Sequence, residues 1–134
     1  MNRILPDYLH DEVVTVRRDL HKIPETAFKE LKTSEYIKNY LSSNNIKFEA
    51  GIATTGIVVE VVGGKKGENV LGLRADIDAL PIKEETNLDF KSSNGNMHAC
   101  GHDGHVAMML VSLKHINSKK DEFAGTLKVI FQPA

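Results

Sequence analysis

Leu9, Val13, Val16 and Leu20 recur at three- and four-residue spacing in an otherwise polar stretch, which predicts an amphipathic helix. Asp7, just after Pro6, is placed to cap it. The helix is expected to stop near Ile23-Pro24, because the residue before a proline is pushed out of helical backbone. A second helix is predicted from about Phe28 to about Asn44, with Leu31, Tyr36, Ile37, Tyr40 and Leu41 as its apolar stripe. The period then changes to two. Ile46, Phe48 and Ala50 alternate with polar residues, and the β-branched run at residues 57–62 follows a Thr54-Thr55-Gly56 turn.

Gly63-Gly64-Lys65-Lys66-Gly67 reads as a turn or hairpin loop, since it lacks the spacing and the serine or threonine of a phosphate-binding loop. Residues 70–73 form another strand, ending in Arg74-Ala75-Asp76-Ile77-Asp78. The polar, irregular stretch at residues 81–96 is long for a plain connection, and such loops often border a site. Val106, Met109, Leu110, Leu113 and Ile116 mark a helix beginning near Asp103, and residues 126–131 make the last strand. No repeat, linker or low-complexity tract interrupts the chain.

The strand at 70–73, the helix at about 103–118 and the strand at 126–131 make a βαβ unit, whose right-handed crossover sets the two strands parallel. The fold class is therefore α/β, a mixed and partly parallel sheet flanked by helices. Ligands of such sheets bind at the carboxyl ends of the parallel strands. Asp76 and Asp78 lie at that end of one strand, Gln132 at that end of the other, and Cys100 and His102 just before the helix.

Composition adds limits rather than chemistry. The 134 residues suit one domain with a real core, but are few for a complete two-domain enzyme. Lys plus Arg at 17 against Asp plus Glu at 18 gives a net charge of −1, no reason to expect nucleic acid or an anionic membrane as partner. No stretch approaches the ~20 apolar residues of a membrane span, and the first residues hold no signal-peptide core. The single cysteine fits a reducing compartment, so the expected location is cytoplasmic.

The chemistry concentrates in Met97-His98-Ala99-Cys100-Gly101-His102-Asp103-Gly104-His105, which holds three of the six histidines and the sole cysteine. A thiolate and imidazoles two residues apart, on backbone that glycine lets bend, suit a borderline-soft divalent ion. A lone cysteine is more often a small buried hydrophobe, but this cluster has no packing logic. His105 falls in the first turn of the helix, where it could simply bond a neighbour. Asp78 could satisfy loop amides, with Arg74 as its partner. His10, His21 and His115 lie on helices, where surface or capping roles are the ordinary expectation. Only His21, within Arg17-Arg18-Asp19-Leu20-His21, stands out among them.

Several longer motifs carry a family resemblance. Arg18-Asp19-Leu20-His21, Pro24-Glu25, Thr55-Gly56-Ile57-Val58, residues 74–81, residues 98–105 and Phe131-Gln132-Pro133-Ala134 occur in one order. Together they resemble the N-acyl-amino-acid amidohydrolases, the hippurate hydrolase branch of the dinuclear-metal aminoacylase and carboxypeptidase family. N-acetyl-diaminopimelate deacetylases also belong to it. The resemblance implies the N-terminal part of a metallopeptidase-type catalytic domain. Cys100 and His102 match the first two metal ligands, and Asp78 matches an aspartate that orients a metal-binding side chain. A histidine ligand of the wider family falls on Asp76, which is left as a supporting residue, with Asp103 and His105 as further supporting or substrate-contacting candidates.

Family members continue past Gln-Pro-Ala with two glutamates, a general base and a metal ligand, and then with further histidine ligands and a small lid domain through which many dimerise. On that basis residues 1–134 are expected to be an incomplete catalytic domain, lacking the general base and inactive alone. Complete members hold two divalent ions (zinc, manganese, cobalt or nickel) and act on a small N-acyl amino acid. Two other classes stay open on the residues themselves: a thiol-based redox or nucleophilic enzyme with Cys100 activated by His102, and a noncatalytic metal-binding module.

Overall fold

In the computed structural model, which describes residues 6–133, the elements follow as α1 (Asp7–His21), α2 (Leu31–Ser43), β1 (Phe48–Ile52), β2 (Gly56–Val62), β3 (Lys65–Asp76), α3 (His102–Ser118) and β4 (Ala124–Gln132). Ala134, the last residue of the Gln-Pro-Ala motif, and the first five residues lie outside the described residues. The α/β class holds. The strands form one sheet in the order β1-β2-β4-β3, antiparallel except for the β3–β4 pair, which is parallel across the α3 crossover.

One face of that sheet carries the core. Ile57, Val59 and Val61 of β2 sit opposite Phe131, Val129 and Leu127 of β4, and all six are buried. The alternate positions show Glu60 opposite Lys128, an exposed ion pair at 3.7 Å. Period-two side chains thus put one apolar set under the helices, while the outer face mixes Glu60 and Lys128 with exposed Val62 and Ile130. Leu9, Val16 and Leu20 of α1, Ile37 and Leu41 of α2, and Val106, Leu110 and Leu113 of α3 complete the core. Glu12 ties the three helices together at one spot, accepting from Lys114 Nζ at 2.8 Å and from Tyr40 Oη at 2.8 Å.

Several expectations need correction. Asp7 makes no side-chain cap; Pro6 holds the N-cap position, and Asp7 lies in the first turn, where a negative charge meets the helix dipole favourably. The second helix starts at Leu31 rather than Phe28, because Phe28 has a left-handed φ of 59° that no helix continues. Leu31 is 66% exposed and leaves the apolar stripe, while Thr33 and Ser34 are buried instead. The glycine-rich segment at 63–67 does not close a hairpin, since β4 lies between β2 and β3. There Gly63 and Gly64 donate their amides to Gly125 O and Lys120 O, both at 2.8 Å.

Gly125 shows why that corner is sequence-restricted. Its φ is +87°, and a Cβ placed on it would come within 2.5 Å of the Asn69 carbonyl oxygen. Gly125→Ala combines backbone strain with a backbone clash and is expected to cost about 1–3 kcal/mol, read as a lower midpoint in guanidinium unfolding with an unchanged slope.

Candidate metal-binding and catalytic site

The parallel pair ends with Asp76 opposite Gln132, and the chain leaving β3 is pinned as it turns away. Ile77 N donates to Gln132 O at 3.0 Å, Ala79 N to Glu25 O at 2.7 Å, and Leu80 and Met97 exchange two bonds at 3.0 Å. Glu25 is itself fixed, for its carboxylate accepts the Lys32 and Thr33 amides at 3.1 and 2.9 Å and so satisfies orphan donors at the start of α2. The Pro24-Glu25 motif therefore works through its backbone as well as the Glu25 carboxylate: Pro24 O also accepts both Asn94 Nδ2 (2.7 Å) and Asn96 Nδ2 (3.2 Å). Asp78 sits on backbone held from two directions.

What Asp78 holds is His102. His102 Nδ1 lies 2.9 Å from Asp78 Oδ1 and 3.0 Å from the Asp78 carbonyl oxygen. A backbone carbonyl can only accept, so Nδ1 carries the proton and donates to both oxygens. In the neutral ring that leaves Nε2 with its lone pair, the tautomer a metal-ligating histidine needs. Gly101 makes the entry to α3 possible, with a left-handed φ of 81° at the N-cap position between Cys100 and His102. Cys100 is a free, exposed thiol.

The cluster read as one unit divides in two. Cys100, half-buried His102 and exposed His105 lie outward, with the His102 and His105 rings 6.2 Å apart. His98 and Asp103 turn inward, at 4% and 1% exposure. Burial pushes His98 below the usual histidine range, against the pull of the Asp103 charge. Asp76, beyond the pinned turn, pairs with Arg74 Nε at 3.2 Å on the exposed side.

The inward group meets residues that the motif alone does not announce. His21 Nδ1 lies 2.7 Å from Asp103 Oδ2, and His21 Nε2 lies 3.1 Å from Glu84 Oε1. Arg17 Nε reaches the same Asp103 oxygen at 2.8 Å. Phe90 roofs the group: its ring meets His21 edge-on at 5.6 Å and takes the Arg17 and Arg18 guanidiniums at 5.3 and 5.0 Å. His21 is 2% exposed, so a surface or capping role is overturned. A signal existed in α1, where positions 13, 17 and 21 run up one side at four-residue spacing and change from valine to arginine and histidine. Glu84, in a stretch without periodicity, carried none.

Burial alone would raise the Glu84 carboxyl. Donation by the Thr86 hydroxyl, the Ser92 amide at 2.7 Å and His21 outweighs that and holds it down at about 2. A carboxyl depressed from 4.5 to about 2 contributes stability that is complete above its unfolded value and is lost as pH falls through the folded one. Glu84→Gln is accordingly expected to be markedly less stable than the parent near about pH 5, with the gap narrowing by about pH 2.5. Paired denaturant titrations at the two pH values measure this.

Among the described residues no group of three or more His, Cys, Asp or Glu side chains is arranged to hold a metal ion. The donor chemistry of Cys100 and His102 nevertheless fits a zinc-like ion: one available thiol, and one imidazole whose tautomer is set by an aspartate. The chain thus offers two donors rather than a closed site.

Comparison with known proteins bears on this geometry. Residues 72–134 match the model of Peptidase family M20/M25/M40. The chain is 42% identical to an N-acetylcysteine deacetylase of Bacillus subtilis over 93% of its own length and 33% of that protein's. It is 50% identical to an N-acetyldiaminopimelate deacetylase of Listeria welshimeri over 92% of its length and 33% of that protein's. Among solved structures, a dinuclear metal binding peptidase from the M20 family of Bacillus subtilis superposes with a TM-score of 0.89 at 41% identity, covering 96% of this chain and 36% of that one. The chain spans about a third of the length of the curated relatives it matches. Residues 72–134 are thus similar to Peptidase family M20/M25/M40, and the fold is shared almost end to end with a solved dinuclear metal binding peptidase of the M20 family.

Proposed function

We propose that this chain supplies two ligands, Cys100 and His102, to the metal centre of a metal-dependent amidohydrolase that releases the acyl group from N-acyl amino acids. The observation that carries the reading is the pair of acceptors on His102 Nδ1, both from Asp78, which leaves Nε2 as the ligating nitrogen. Divalent ions bound there would acidify a water and polarise the amide carbonyl. The chain's own part is to keep the Cys100 thiol and His102 Nε2 on one rigid turn, and to hold the Nδ1 proton on Asp78. The relatives named for N-acetylcysteine and N-acetyldiaminopimelate point to an N-acetylated amino acid as substrate, with hippurate-type acyl groups as the wider class. A free thiol ligand belongs in a reducing compartment, and we place the enzyme in the cytoplasm.

With two donors and, among the described residues, no third arranged beside them, the 134-residue chain is expected to bind metal weakly and to show no useful amidase activity by itself. Alkylation of Cys100 by iodoacetamide at neutral pH tests the ligand role. Saturating zinc slows it in the parent and fails to slow it in His102→Ala. Alkylation that ignores zinc in both proteins would sink the proposal and favour a thiol-based enzyme. Tight, stoichiometric zinc in the chain alone would instead favour a noncatalytic metal-binding module.

A further inference from the structure

We propose that His21 is a positioning residue: an imidazole carrying both ring protons, clamped between Asp103 and Glu84, that sets the start of α3 and with it the spacing of Cys100 and His102. The inference rests on the ligand roles proposed above, and it concerns residues outside them. Its first support is donor and acceptor arithmetic. Asp103 Oδ2 already accepts from Arg17 Nε at 2.8 Å, so His21 Nδ1, 2.7 Å from it and farther from Arg17 Nη2 at 3.4 Å, faces an oxygen already acting as an acceptor. Glu84 accepts from the Thr86 hydroxyl and from the Ser92 amide, so His21 Nε2, at 3.1 Å, faces another. A neutral imidazole has one donor and would set a lone pair against one of these carboxylates.

Charge balance gives the same answer. His21 and the carboxylates of Asp103 and Glu84 have side-chain exposures of 2%, 0% and 0%. Among the described residues Arg17 also faces this spot, and so does His98, both of whose ring nitrogens are buried without a hydrogen-bond partner. Arg17 alone would leave one buried negative charge uncompensated, which a doubly protonated His21 neutralises. The connection to the site is covalent and short. Asp103 follows His102 directly, Glu84 lies in the loop that leaves Asp78, and His21 ends α1. One ring therefore ties three separate segments behind the turn that carries the two donors, as outer partners commonly do for metal-ligating residues.

The test has two arms on the 134-residue chain. In ¹⁵N-labelled parent at neutral pH without metal, both His21 ring nitrogens are expected to show the protonated-type shift; one unprotonated nitrogen overturns the clamp without reference to metal or to any variant. In the second arm, zinc affinity is measured by competition with a chromophoric chelator for the parent, His21→Asn, Glu84→Gln and, as a destabilised control remote from the turn, Val61→Ala. The expected result is a roughly 10–100-fold weaker affinity for whichever of the first two variants retains the parent's circular dichroism, with the control unchanged. Equal losses in all three variants would reduce His21 to ordinary core support and overturn the inference, as would no loss in any. A parent that binds no zinc overturns the ligand roles themselves, a failure distinct from a parent that binds while the variants bind equally well.

Discussion

Asp103→Ala is expected to destabilise the protein by about 3–5 kcal/mol, the cost typical of removing one partner from a buried charge network. Asp103 is 1% exposed and receives both Arg17 Nε and His21 Nδ1 on a single oxygen. Its loss leaves a guanidinium and an imidazole facing each other, with their remaining carboxylate, Glu84, on the far side of the ring. Domains of this size carry a total stability of roughly 5–15 kcal/mol, so the variant loses a large fraction of it. Asp103→Asn keeps the shape and one acceptor and should fall between parent and alanine. Guanidinium titrations of the three proteins give the order directly. An alanine variant within about 0.5 kcal/mol of the parent would mean that the group is far wetter than its geometry implies.

Phe131→Ala is expected to cost a similar about 3–5 kcal/mol by a different route. Phe131 is fully buried near the carboxyl end of β4, opposite Ile57 of β2 on one side and Ala75 of β3 on the other. Its ring fills the core where the antiparallel and parallel halves of the sheet meet, and a central strand cannot collapse around the void. Denaturant unfolding at neutral pH measures it.

How far the sequence foretold this depends on which physical signal each feature left. The core strands were legible because β-branched runs such as residues 57–62 have one geometry in which they pack. The parallel β3–β4 pair was legible because a helix-length crossover between two strands leaves little choice of handedness. The order β1-β2-β4-β3 was not, since a glycine-rich loop at 63–67 is locally as good a hairpin as a detour, and only the long-range fit of β4 decides. Phe28 and Leu31 misled for a local reason: they are apolar at helical spacing, but a left-handed backbone at Phe28 delays the helix.

The site divides the same way. Spacing singled out Cys100 and His102, and the strand ends placed Asp78 near them; the bond between Asp78 and His102 Nδ1 is a three-dimensional fact that no spacing encodes. Nor did the motif reveal that His98 and Asp103 face the interior while Cys100 and His105 face outward, because that depends on how the turn at left-handed Gly101 and the first turn of α3 sit against the rest of the chain. The set of part-buried Arg17 with buried His21, Glu84 and Asp103 spans separations of up to 86 positions, and charged residues so far apart look solvent-exposed until the chain folds them together.

The central claim is that Cys100 and His102 bind one divalent ion through sulfur and Nε2. Cobalt(II) tests it most directly, because a thiolate bound to cobalt gives a sulfur-to-metal charge-transfer band in the near ultraviolet that water and carboxylate ligands do not. Titration of the 134-residue chain is expected to raise that band, weakly but saturably. Cys100→Ser abolishes it, and His102→Ala shifts its onset to much higher cobalt. No band in the parent, or a band that survives His102→Ala unchanged, would contradict the account.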